Sequence, residues 1–209
     1  INLKPSYPEA HYNLGNSLIA IGDTIAAISS YKAAIEYKPN YQKAYNNLGT
    51  ALRDEGDIVA AYNAYNAALK LWPGDPESHN NLGTILKELG DLQTAIASYT
   101  TALKLKPNDP EICCNLGNAL KKTGDLEAAM AIYKKAVEID PENSNAFYGI
   151  GRVQQSMGNL KEATLSFKRA ISKNPNNAGV LLELSRSIKS DQDTVRLLHD
   201  LSEVKRIGL

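Results

Sequence analysis

Thirty-four residues separate each of Pro5, Pro39, Pro73, Pro107, Pro141 and Pro175 from the next. Two sets of glycines keep the same interval: Gly15, Gly49, Gly83, Gly117 and Gly151, then Gly22, Gly56, Gly90, Gly124 and Gly158. Whole stretches recur with them, as NNLGTALRDEGD from Asn46 and NNLGTILKELGD from Asn80. A period in this range marks an array of one supersecondary unit in which each copy completes its core against its neighbours.

With Pro8 as position 1, the glycines fall at positions 8 and 15 and the six prolines at position 32. The other three prolines, Pro8, Pro76 and Pro110, all fall at position 1. Proline suits the first turn of a helix, where its missing N–H is not needed, and the point just past a helix end, where it stops propagation. Leu92, Ala95, Ile96, Tyr99, Ala102 and Leu103 follow the spacing of one buried helical face, and no segment alternates as a strand would. Each first helix should end at a glycine in the left-handed conformation, followed by Asp23, Asp57, Asp91, Asp125 or Asn159 as the N-cap of the second.

The remaining fixed positions read as packing. Gly at position 8 and Ala at positions 20 and 27 let helices approach closely; Tyr31, Tyr65, Tyr99, Tyr133 and Phe167 at position 24 fill the space, with Leu14, Leu48, Leu82, Leu116 and Ile150 at position 7. On these residues the chain resembles the tetratricopeptide repeat (TPR) family, whose pattern has small or apolar residues at 8, 20 and 27, an aromatic at 24 and proline at 32. It departs from that pattern at position 4, where His11, Tyr45, His79, Cys113 and Phe147 replace the usual Trp, and at Gln154 in position 11. The resemblance implies an all-α, right-handed superhelical solenoid of helix-turn-helix repeats. The expected boundaries are the end of a preceding repeat at 1–7, five repeats at 8–41, 42–75, 76–109, 110–143 and 144–177, and an aberrant sixth repeat or capping helices at 178–209. In that last segment a helix is expected from Asp193 to Ile207, capping the array or joining it to another domain.

Composition removes several function classes. With 23 basic and 23 acidic side chains the formal net charge is zero, so no broad cationic field draws nucleic acid or anionic lipid. No run of about 18 apolar residues is present to span a bilayer, and INLKPSYPEA lacks the regions of a signal peptide. Cys113 and Cys114 are sequence neighbours, a poor arrangement for a disulfide and too few for structural zinc. A cytoplasmic location fits, with any targeting signal left to upstream sequence. His11 and His79 stand two repeats apart and are read as half-buried substitutes for Trp. Nucleophile elbows, phosphate loops and HExxH are missing, so the chain is expected to be no enzyme and to hold no cofactor or metal.

The candidate site lies on the first helices. The resemblance implies that positions 2, 5, 6, 9, 12 and 13 face the concave side. Asparagine crowds there: Asn13, Asn47, Asn81 and Asn115 at position 6, with Asn16, Asn46, Asn80 and Asn118 at neighbouring positions. An amide donates and accepts, so such a row suits the backbone of an extended peptide; equally, the amides suit bracing of adjacent helices. Four such contacts at about 0.5 to 1.5 kcal/mol each give roughly 2 to 6 kcal/mol before the peptide's ordering entropy is subtracted, which is weak, sequence-tolerant binding. Lys43, Arg53, Lys87, Lys121, Lys122 and Arg152, with Tyr12, Cys114 and Tyr148, are the candidates for side-chain recognition. The carboxylate clamp of some family members needs Lys at position 5 and Arg at position 6, and this chain has neither.

The expected function is therefore to bind a protein or peptide segment in the concave groove, with Asn13, Asn16, Asn47, Asn81, Asn115, Asn118, Lys43, Lys87, Tyr148 and Arg152 as its lining. The alternative is the substrate-recognition region of a larger transferase, of glycosyltransferase or sulfotransferase type. The asparagine row is similar to that of O-linked N-acetylglucosamine transferases. Self-association through exposed solenoid ends is a third expectation.

Overall fold

The computed structural model describes residues 7–188, so the expected helix at Asp193–Ile207 and most of the partial repeat at 1–7 lie outside the described residues. The described chain is all-α. Among the described residues, 7–108 form one compact unit and 109–188 a second. The first holds α1 (Pro8–Ala20), α2 (Thr24–Tyr37), α3 (Gln42–Asp54), α4 (Ile58–Leu71), α5 (Pro76–Glu88) and α6 (Leu92–Leu105). The second holds α7 (Pro110–Thr123), α8 (Leu126–Ile139), α9 (Ser144–Ser156), α10 (Leu160–Lys173) and α11 (Ala178–Ile188).

Local chemistry sets the helix ends. Asp23, Asp57, Asp91 and Asp125 each accept a backbone N–H three residues on, at 3.0–3.1 Å, which satisfies one of the orphan donors of the following helix. Asn159 does not; its side chain makes no capping bond to α10. Before each cap the chain reverses through a left-handed glycine, as at Gly56 with φ +85°, and the next N–H, that of Asp57, returns to Leu52 O at 2.9 Å. A side chain at that φ would be strained, which explains glycine there.

Each helix pair closes on one aromatic ring. Tyr31, Tyr65 and Tyr99 in the first unit, and Tyr133 and Phe167 in the second, are buried, each against a glycine of the preceding helix. A Cβ at Gly49 would stand 2.8 Å from Tyr65 Cε1, and one at Gly151 only 2.5 Å from Phe167 Cε1, so the close approach excludes any larger residue. The buried hydroxyls need partners, and position 9 supplies them. Tyr31 donates to Asn16 Oδ1 at 2.9 Å and Tyr133 to Asn118 Oδ1 at 2.8 Å; Thr50 and Thr84 lie 3.0 Å from the hydroxyls of Tyr65 and Tyr99. In the last pair position 9 is Arg152, which can only donate, and the ring is Phe167, which has no hydroxyl to satisfy. Desolvation pushes the Tyr99 phenol up to about 12.

Two packing expectations are corrected. Leu14 is 39% exposed where Leu48, Leu82 and Leu116 are buried. Cys114, expected on the inner surface, is buried like Cys113; its Sγ lies 3.7 Å from Asn143 Oδ1, and burial pushes its thiol up to about 12.

Candidate functional site

In the first unit α1, α3 and α5 are the first helices of successive repeats, and side chains join them directly. Asn47 Nδ2 on α3 donates to Asn16 Oδ1 on α1 at 2.9 Å and to Tyr12 Oη at 3.2 Å. One repeat further on, Asn46 is the hub. Its Nδ2 donates to Glu77 Oε1 on α5 at 3.0 Å, while its Oδ1 accepts from Asn81 Nδ2 at 3.3 Å and lies 3.2 Å from Ser78 Oγ, whose single proton serves Asp75. Asp75, itself only 7% exposed, caps α5 and takes Gln42 Nε2 from α3 at 2.8 Å. The amides therefore hold neighbouring first helices together.

Hydrogen bonds engage only part of each amide. Among the described residues, Asn47 gives both N–H groups to protein partners with its carbonyl oxygen unengaged, whereas Asn16 accepts two bonds with its N–H groups unengaged. Between the helices two clefts remain. One, of 280 Å³, is lined by Tyr12, Gln42, Lys43, Asn46, Asn47, Trp72, Asp75 and Glu77. The other, of 350 Å³, touches Asn16, Ile19, Tyr31, Asn47, Thr50 and Glu77 among others. Asn47 and Glu77 belong to both.

The other expected residues have separate environments. Asn13 is exposed on α1, Lys43 is exposed on α3, and Lys87 is half-buried on α5. Asn115 is half-buried on α7, and Asn118 is exposed apart from its bond to Tyr133. Tyr148 rests on Phe167 with ring centroids 5.8 Å apart, at the edge of the core formed by Phe147, Phe167, Ile171, Val180 and Leu184. Arg152 Nη1 donates to Glu183 Oε1 at 2.6 Å, and Glu183 is 4% exposed. Gln155 and Arg186 donate to the same carboxylate at 3.3 and 3.2 Å. Lys121 stands nearby, its pKa lowered by burial and then by the charges of Arg152 and Lys122.

The sequence reading missed several contributors. Gln42, Asp75, Glu77, Ser78, Gln155 and Glu183 carry bonds between first helices, yet each stands at a position whose residue changes along the array, so periodicity could not reveal them. Gly149 does have a legible signal: it interrupts the asparagines at position 6, and a Cβ there would sit 2.3 Å from the Tyr133 ring. Among the described residues no group of three or more His, Cys, Asp or Glu is placed to hold a metal, and no helix is long and apolar enough to cross a membrane.

Family models described as tetratricopeptide repeat match residues 12–76, 64–97 and 144–177, and one described as TPR repeat matches 83–124 and 117–158. A search of curated protein sequences finds no significant match. Among solved structures, the chain is similar to YrrB, described as a TPR protein with an unusual peptide-binding site, at 23% identity and TM-score 0.71, covering 88% of this chain and 94% of that one. It is similar to MamA at 25% identity and TM-score 0.70, covering 79% and 96%. A tetratricopeptide repeat protein from Parabacteroides merdae ATCC 43184 aligns at 22% identity and TM-score 0.76 over 95% of this chain and 79% of its own. Repeating Gly–aromatic packing, left-handed turn glycines and four matching family models together make this chain a member of the tetratricopeptide repeat family.

Proposed function

We propose that the chain is a non-catalytic protein-interaction scaffold that binds an extended polypeptide segment along the inner face of its first unit. The observation that carries this reading is the pair of clefts between α1, α3 and α5, whose rims still hold unengaged amide oxygens and N–H groups. Peptide main chain needs both kinds of partner at regular spacing, and the repeats supply that spacing. YrrB, with a similar fold, has a peptide-binding site, which agrees with this reading. In the second unit Glu183 already occupies Arg152 and the Phe167 ring takes one face of Tyr148, so the proposal rests on the first unit.

A peptide-array screen of the whole chain tests it. Ile19 is 40% exposed and lines the larger cleft, so Ile19→Trp fills that cleft without removing a hydrogen bond. The expected result is loss of most peptides bound by wild type, with the melting temperature unchanged. An unaltered peptide profile for Ile19→Trp contradicts the reading.

A further inference from the structure

Glu9 and Lys38, at positions 2 and 31 of the first repeat, pair at 2.9 Å, and the Lys38 ammonium lies 4.5 Å from the centroid of the Tyr41 ring. In the next repeat the same positions are Lys43 and Trp72, which cannot form that bridge, and the 280 Å³ cleft lies between them. This volume is below the roughly 300–1,000 Å³ of small-molecule sites and suits one long side chain.

The walls specify which one. The aromatic lining is Tyr12, whose ring already packs against Tyr41 with centroids 5.1 Å apart, and Trp72, which is 51% exposed. The polar groups around them have mostly donated already. Asn47 keeps only its Oδ1; Gln42 Nε2 serves Asp75 and Ser78, leaving Oε1. Asp75 uses Oδ2 for all its bonds and Glu77 uses Oε1, so each keeps a carboxylate oxygen unengaged among the described residues. Four acceptors, two of them charged, thus belong to residues that line the cleft together with Trp72. The opposing donors are the second N–H of Asn46, the Trp72 indole and the Lys43 ammonium. Asp75 is buried and fixed by three bonds, whereas Lys43 is exposed and free to swing toward water.

We infer that this cleft takes an arginine side chain of the bound segment, its guanidinium stacked on Trp72 and donating to Asp75, Glu77 and the Asn47 carbonyl. A planar cation with five donors in a fixed fork can stack and satisfy several acceptors at once, which a lysine ammonium cannot. The inference rests on the proposed peptide groove and names a side chain that the groove selects.

Trp72 is the sole tryptophan of the chain, so its emission reports on this cleft alone. Fluorescein-labelled nine-residue peptide pools, randomised without tryptophan except for a central arginine, lysine, citrulline or glutamate, are titrated into the full chain. Anisotropy reads total binding, and Trp72 emission, measured with unlabelled pools, reads the cleft. The arginine pool should bind about tenfold more tightly than the citrulline pool, with lysine between them and glutamate weakest, and arginine should change Trp72 emission most. Trp72→Leu should bring arginine down to the citrulline level, and Lys43→Gln should tighten arginine binding by about twofold as the like charge is removed. Equal anisotropy curves for arginine and citrulline overturn the inference while leaving the groove standing. Absence of binding by every pool at millimolar concentration overturns both.

Discussion

Asn47 on α3 reaches Asn16 on α1, and Glu183 on α11 reaches Arg152 on α9, from equivalent positions in the repeat: position 6 of one first helix to position 9 of the one before. In the first unit the joint is a neutral amide pair that leaves donors and acceptors over; in the second it is an ion pair with a nearly buried acid that three side chains surround. The same geometry therefore serves two purposes. An amide pair is cheap to desolvate and stays adaptable toward a ligand, whereas a buried carboxylate must keep its partners or leave a strong penalty behind. The ring chemistry follows the joint and not the unit, since the arginine at position 9 goes with Phe167 while the amides and threonines there, Asn118 of the second unit included, go with tyrosines.

The comparison breaks most sharply at Glu183. Glu183→Ala strands Arg152, a third of whose side chain is exposed, and should cost about 2–3 kcal/mol in urea denaturation, less than a wholly buried pair would. The amide joint should yield less: Asn47→Ala removes two bonds between helices and should cost about 1–2 kcal/mol by the same measurement. Exchanging the ring chemistry is the next test. Phe167→Tyr places a hydroxyl opposite Arg152 with no acceptor at position 9 and should cost about 1 kcal/mol, and adding Arg152→Thr should restore the hydroxyl's partner at the expense of Glu183. Smallest of all, Arg152→Asn with Glu183→Asn turns one joint into the other. It should stay within about 1 kcal/mol of wild type, and the salt dependence of stability should fall.

Burial of the thiols gives the second unit a pH response of its own. Cys114 has its pKa raised from 9.0 to about 12, so the folded state holds a proton that the unfolded state releases first. Its contribution is complete below pH 9 and is lost as pH rises toward about 12. Alkylation by iodoacetamide at pH 8 should accordingly be slow in the folded chain and fast in urea; rapid modification of the folded chain contradicts the burial.

Most of the helical frame was legible because its causes are local. Left-handed glycines, aspartate caps and the Gly–Tyr contact each depend on residues at fixed spacing, and every one repeats. Asn159 shows the limit, since it stands in the cap position and makes no capping bond. The site was legible only as a choice between two uses of asparagine. Whether Asn47 faces a ligand or Asn16 depends on how closely α1 and α3 approach, which no periodicity encodes. The acids at the neighbouring joints, Glu77, Asp75 and Glu183, stand at variable positions and look like solvated charge in the sequence.

A double-mutant cycle on Asn16 and Asn47 measures the amide joint directly. Asn16→Ala, Asn47→Ala and the double variant, followed by urea denaturation, should give a coupling free energy of about 1 kcal/mol, as two side chains in contact do. Strict additivity of the two single effects would mean that these asparagines do not hold the helices together, and the division between amide and ionic joints would fall with it.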